Sequence, residues 1–127
     1  MDRIHEMKTA SEIVNIMMSK DEFSSWMDIK IETIEKGKCS LSCHVRKEML
    51  NGFSIAHGGI AYSLADSTLA FAANSYGLQS FSIETSISHL VKVNQGDLLK
   101  SNSIEIHRGN KTAIYQIEVY NQKNIMV

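Results

Sequence analysis

An α+β fold, one long apolar helix wrapped by a curved antiparallel sheet, is what this sequence predicts, and three observations predict it. Between His57 and Tyr76 nearly every side chain is small or apolar (Ile60, Ala61, Leu64, Ala65, Leu69, Phe71), and Asp66 alone carries a charge. A helix that is apolar all round has to be enclosed. On either side of this stretch, apolar and polar residues alternate with the period of two that marks half-buried strands. The 127 residues contain no repeat and no linker-like tract, so one domain over residues 1–127 is expected to supply both helix and sheet.

In chain order, residues 3–19 place Ile4, Met7, Ala10, Val14 and Met17 at spacings of three and four, an amphipathic helix at the domain edge. From Trp26 the period changes to two, with Met27, Ile29 and Ile31 facing one way. After a turn at Lys36-Gly37-Lys38, Cys39, Leu41, Cys43 and Val45 continue it, an antiparallel pair with one wet face. The central helix follows, and Gly77 is a natural stop for it. Phe81, Ile83, Ile87, His89, Val91 and Val93 predict a strand closed by Asn94-Gln95-Gly96-Asp97. Residues 98–107 predict a weaker strand, and Ala113, Tyr115, Ile117 and Val119 a clear one. A last strand begins at Ile125-Met126-Val127. The order α-β-β-α-β-β-β, with a sheet curled about one helix, is the hotdog arrangement.

Composition excludes several function classes. A net charge of −1 argues against a polyanionic partner such as nucleic acid. His57, Ser63, Asp66, Ser67, Thr68 and Asn74 make the apolar stretch a poor membrane span. The charged start has no apolar signal-peptide core, which predicts a cytoplasmic protein. Cys39 and Cys43 read as reduced thiols facing the core, and His5, His44, His89 and His107 show no metal-ligand spacing, so no metal is expected.

The central stretch carries the chemistry. If the helix starts near His57, the amides of Gly58 and Gly59 lack intrahelical partners and point along the positive end of the dipole, a site for an oxyanion. Asp66 is the one carboxylate within reach. It either serves the reaction or is a structural acid bonded one turn back to Ser63 or Tyr62. Gly58 and Asp66 are eight residues apart, roughly 12 Å along one helix, so a single carbonyl cannot touch both. The two groups serving one carbonyl therefore come from different copies of the chain, which predicts a homodimer at least; a homotetramer is expected.

Asn51-Gly52, His57-Gly58-Gly59, Leu64-Ala65-Asp66 and Asn74-Ser75-Tyr76-Gly77 together resemble the PaaI branch of hotdog acyl-CoA thioesterases, associated with phenylacetic acid degradation. The likeness runs from about Glu48 to Gln122. It implies hydrolysis of a phenylacetyl- or hydroxyphenylacetyl-CoA type thioester to free acid and coenzyme A, with no cofactor beyond the coenzyme A of the substrate. It also implies roles: Asp66 as nucleophile or general base, the Gly58 amide polarising the carbonyl, Asn51 and His57 orienting the thioester, and Gly59 and Ser82 among the substrate contacts. Coenzyme A carries phosphates, for which Lys92, Lys100, Arg108 and Lys111 are candidates. Where the family commonly has an aromatic residue followed by a basic one and proline, this chain has His89-Leu90-Val91-Lys92-Val93. The rival reading is a non-catalytic acyl-CoA binding module. A hotdog dehydratase would need an Asp-x-Asn-x-x-His pattern that is missing here.

Overall fold

The computed structural model describes residues 8–127, so the beginning of the predicted first helix lies outside the described residues. Helix α1 (Ala10–Lys20) starts at Thr9, whose hydroxyl accepts the Glu12 N–H at 3.1 Å and donates back to the Glu12 carboxylate. This reciprocal cap satisfies an amide that would otherwise be orphaned. Ala10, Ile13 and Val14 are its buried side. A second, short helix α2 (Glu22–Trp26) follows at once, capped by Asp21, which accepts the Ser24 N–H at 2.9 Å. The expected strand from Trp26 therefore begins later: Trp26 closes α2, and β1 spans Lys30–Glu35.

Strands β1, β2 (Lys38–His44), β3 (Leu98–Arg108) and β4 (Ala113–Tyr120) form one antiparallel sheet in that order. Ile31, Leu41, Ser101 and Val119 stand in register across it. The β1–β2 turn calls for glycine because Gly37 has φ +73, and a Cβ there would also press on the Tyr76 hydroxyl. Cys39, Leu41 and Cys43 face the core as the alternation predicts.

Helix α3 (Gly58–Asn74) lies across β2, β3 and β4. Its sheet side buries Ile60, Ala61, Leu64, Phe71 and Ala72. The polar residues on that side are matched: Thr68 Oγ1 donates to the Leu64 carbonyl at 2.7 Å and shares a hydrogen bond with Ser101, and Ser67 pairs with Ser24 of α2 at 2.8 Å. The opposite side differs from expectation. Asp66 is exposed, so one chain encloses the helix on the sheet side and leaves the other open.

A second correction concerns residues 81–93. They run without helix or ladder pairing, and residues 81–92 are exposed, with Phe81 at 80% and Ile83 at 90%. The alternation is present in the sequence, but a strand is defined by a partner's backbone, and here it has none over most of its length. Hydrogen bonds tie the segment to the fold at Thr85, which pairs with Tyr62, at Val93, which accepts the Ala56 N–H, and at Val127, whose N–H donates to the Val119 carbonyl at 2.9 Å and whose carbonyl accepts the Leu90 N–H at 2.9 Å. Tyr120 and Met126 form a single bridge where the last strand was expected to begin. No helix among the described residues is long and apolar enough to cross a membrane.

Candidate active site

The approach to α3 is a tightly tied loop. Met49 accepts the His57 N–H at 2.8 Å and Val93 the Ala56 N–H at 2.8 Å, while Asn51 N–H donates to the Ile55 carbonyl at 2.7 Å. Asn51 Oδ1 accepts two main-chain amides, those of Phe53 at 2.9 Å and Ile55 at 3.4 Å. Its carbonyl side thus holds the loop, and this pairing identifies which end of the amide is oxygen. The amino group has no acceptor among the described residues.

His57 is the N-cap of α3, and its Nδ1 accepts the Gly59 N–H at 2.9 Å. An accepting Nδ1 carries no proton, so the ring is in the tautomer with hydrogen on Nε2. This engages one of the two glycine amides: Gly59 serves the cap and is not available to a ligand. The Gly58 N–H has no acceptor among the described residues. No acidic side chain stands in the first turn of α3, so the positive end of the helix is uncompensated there. Gly58 opens into a cavity of about 280 Å³ whose wall includes Asn51, His57, His89 and Lys92.

Asp66 lies on the other side of a shared wall. It lines a larger cavity, about 1160 Å³, between α3, the extended segment 78–90 and β4, together with Tyr62, Leu69, Ser82 and Tyr115. No side chain among the described residues bonds to it. Tyr62 is hydrogen-bonded to Thr85 of the extended segment, which removes the reading of Asp66 as an acid bonded one turn back. Ala61, His89, Leu90 and Val127 belong to the walls of both cavities.

The structure thus brings Asn51, His57 and Gly58 together and places Asp66 and Ser82 elsewhere. Gly58 and Asp66 share one helix, roughly 12 Å apart along its axis. Of the four basic candidates, Lys92 lines the smaller cavity, Arg108 and Lys111 line the larger, and Lys100 lines neither. Arg108 is already occupied, 3.6 Å over the Tyr76 ring and 4.0 Å from Glu105. At the far rim of the larger cavity Tyr115 donates to Glu105 at 2.7 Å; desolvation, then that carboxylate, pushes its phenol above the usual range. No group of histidine, cysteine and acidic residues suited to a metal exists among the described residues. The residue that sequence reasoning left out of the site is His89. Its signal was the departure from an aromatic at that position.

The family model described as "Thioesterase superfamily" matches residues 53–127, more than half of the chain. The chain belongs to that family. It is 34% identical over 107 residues to the acyl-coenzyme A thioesterase PaaI of Escherichia coli, covering 84% of this thioesterase and 76% of the relative. It is 35% identical over 115 residues to a putative esterase of Archaeoglobus fulgidus, covering 91% and 75%. The solved E. coli PaaI protein superposes with a TM-score of 0.91 at 32% identity over 93% of this chain and 86% of that one. A Streptococcus mutans protein bound to acetyl CoA superposes with a TM-score of 0.75 at 27% identity, over 78% and 80%. The chain is a PaaI-like hotdog thioesterase, a thioester hydrolase.

Proposed function

We propose that this thioesterase hydrolyses an acyl-CoA of aryl-acetyl type, in sites that two copies of the chain build together. The observation that carries the reading is the Gly58 N–H, without an acceptor, at the positive end of α3 and facing a cavity with Asn51 and His57. A thioester oxygen seated on that amide gains most as negative charge develops on it, which is where binding energy accelerates the reaction. Asn51 and His57 orient the thioester: the free amino group of Asn51 and the Nε2–H of His57 are the donors left over after the loop and the cap are made.

Asp66 removes a proton from the water that attacks the carbonyl carbon, or attacks that carbon itself to form a mixed anhydride that water then cleaves at the acyl carbon, regenerating the Asp66 carboxylate. The acyl–sulfur bond breaks, the oxygen of water ends in the carboxylic acid, and the coenzyme A sulfur leaves and takes up a proton. With Gly58 and Asp66 about 12 Å apart on one helix, the acid for each carbonyl comes from a second copy, whose α3 runs antiparallel to the first. The open face of α3 and the unpaired segment 81–92 support that assembly, because both leave apolar surface for a second copy to cover. The acyl-CoA substrate is supported by the relative named acyl-coenzyme A thioesterase and by the neighbour bound to acetyl CoA. The aryl-acetyl preference follows the PaaI likeness.

Mixing inactive subunits tests the shared site. Gly58→Pro removes the amide at a helix position where proline is tolerated, and Asp66→Asn removes the acid. Each alone is expected to lose most hydrolysis of phenylacetyl-CoA, read as free thiol. Co-refolded together, they are expected to regain roughly a quarter of wild-type activity, since half of random dimers are mixed and each holds one intact site. No recovery in a confirmed mixed dimer would place both groups of a site in one chain.

A further inference from the structure

We infer that His89 is a second hydrogen-bond donor to the thioester oxygen, completing with the Gly58 amide a two-donor oxyanion site; this rests on the thioesterase reading above. The imidazole stands directly over the glycine. A Cβ placed on Gly58 would lie 3.5 Å from His89 Cε1 and 3.6 Å from its Nε2, so the space beside the glycine is bounded by this ring. Standard backbone lengths then put Nε2 no farther than about 6 Å from the Gly58 nitrogen. One oxygen bridges two donors over that span with hydrogen bonds of about 3 Å each.

Position in the walls points the same way. His89 shares with Gly58, Asn51 and His57 the wall of the small cavity in which the thioester oxygen is proposed to sit. Neither ring nitrogen has a protein partner among the described residues, whereas His57, the other imidazole at the site, has its Nδ1 engaged by Gly59. The backbone on either side of the ring is anchored: the Leu90 N–H donates to Val127 at 2.9 Å, and Thr85 four residues earlier bonds Tyr62 of α3. The ring is thus carried on a tied segment. Phenylalanine at this position would keep the ring and lose the donor.

The test is a pair of substitutions with phenylacetyl-CoA as the probe. His89→Phe is expected to lower kcat about 10²-fold, the usual effect of removing one such donor, with KM within about threefold. His89→Gln keeps an N–H donor and is expected to recover to within about tenfold of wild type. A residue that only packs would show the opposite pattern, with phenylalanine tolerated and glutamine shifting KM or the melting temperature. Wild-type hydrolysis with kcat unchanged in His89→Phe overturns this inference alone. Absence of hydrolysis of any acyl-CoA by the wild type overturns the thioesterase reading and this inference with it.

Discussion

On the side of α3 turned to the sheet, Leu64, Phe71 and Ala72 are buried and every polar side chain has a partner: Thr68 with Leu64 and Ser101, Ser67 with Ser24. On the side turned away, Asp66 is exposed and has no bonding partner among the described residues, beside Ala65, Leu69 and Ala73 along a wide cavity. The same helix is completed by its own chain on one face and left incomplete on the other. The difference teaches where to look for stability and where for chemistry. A charge with no structural partner contributes little to folding, so substitution of Asp66 separates the proposed chemistry from stability.

Two substitutions separate the faces most sharply. Asp66→Asn is expected to reduce kcat about 10³-fold or more, with an unchanged melting temperature, because no folded-state bond is lost. Phe71→Ala, on the closed face, is expected to destabilise by about 3–5 kcal/mol, read from the urea midpoint. If Asp66→Asn lowers stability as much as Phe71→Ala does, the exposed face has a structural partner and the comparison collapses. A finer division lies within the closed face. Thr68→Val keeps the shape but leaves the Ser101 hydroxyl with only its 3.5 Å contact to the Leu41 carbonyl, at an expected cost of about 1–3 kcal/mol and with kcat intact.

Much of this contrast was legible in the sequence, and the parts that were not share a cause. The length of α3, the alternation of Cys39, Leu41 and Cys43, and the turn at Gly37 follow from local period and steric demand, and all stand where expected. Asn51, His57 and Gly58 were found together because a short loop and a helix start keep them close in sequence as well as in space. Helix α2 escaped notice because five residues are too few to show a period. The extended run 81–93 and the exposure of Asp66 depend on what lies opposite, and an alternating or apolar pattern says that a surface is to be covered without saying by which backbone. The engagement of Gly59 by His57, which leaves Gly58 as the free amide, depends on one side-chain rotamer.

The smallest effect sets the buried thiol of the closed side against the phenol at the open rim. Burial under the sheet pushes the Cys39 thiol up to about 12. Cys43 and Tyr115 are raised too, both chiefly by desolvation. The folded state therefore holds the neutral form of each group beyond the pH at which the unfolded chain releases its proton. The sign is that of a raised folded pKa: the stabilisation is complete below the unfolded thiol value near 9 and is lost as pH rises from there to about 12. Phenols join only above about pH 10, where an unfolded tyrosine ionises. The interval from pH 9 to 10 thus reads the closed side alone. Urea unfolding across it is expected to show wild-type stability falling by no more than about 1.4 kcal/mol per pH unit for each thiol, and Cys39→Ala to remove one such slope. In native protein at pH 8 a thiol reagent is expected to leave Cys39 unlabelled until denaturant is added. Rapid labelling without denaturant would mean that the sheet side of α3 opens as readily as the side that carries Asp66.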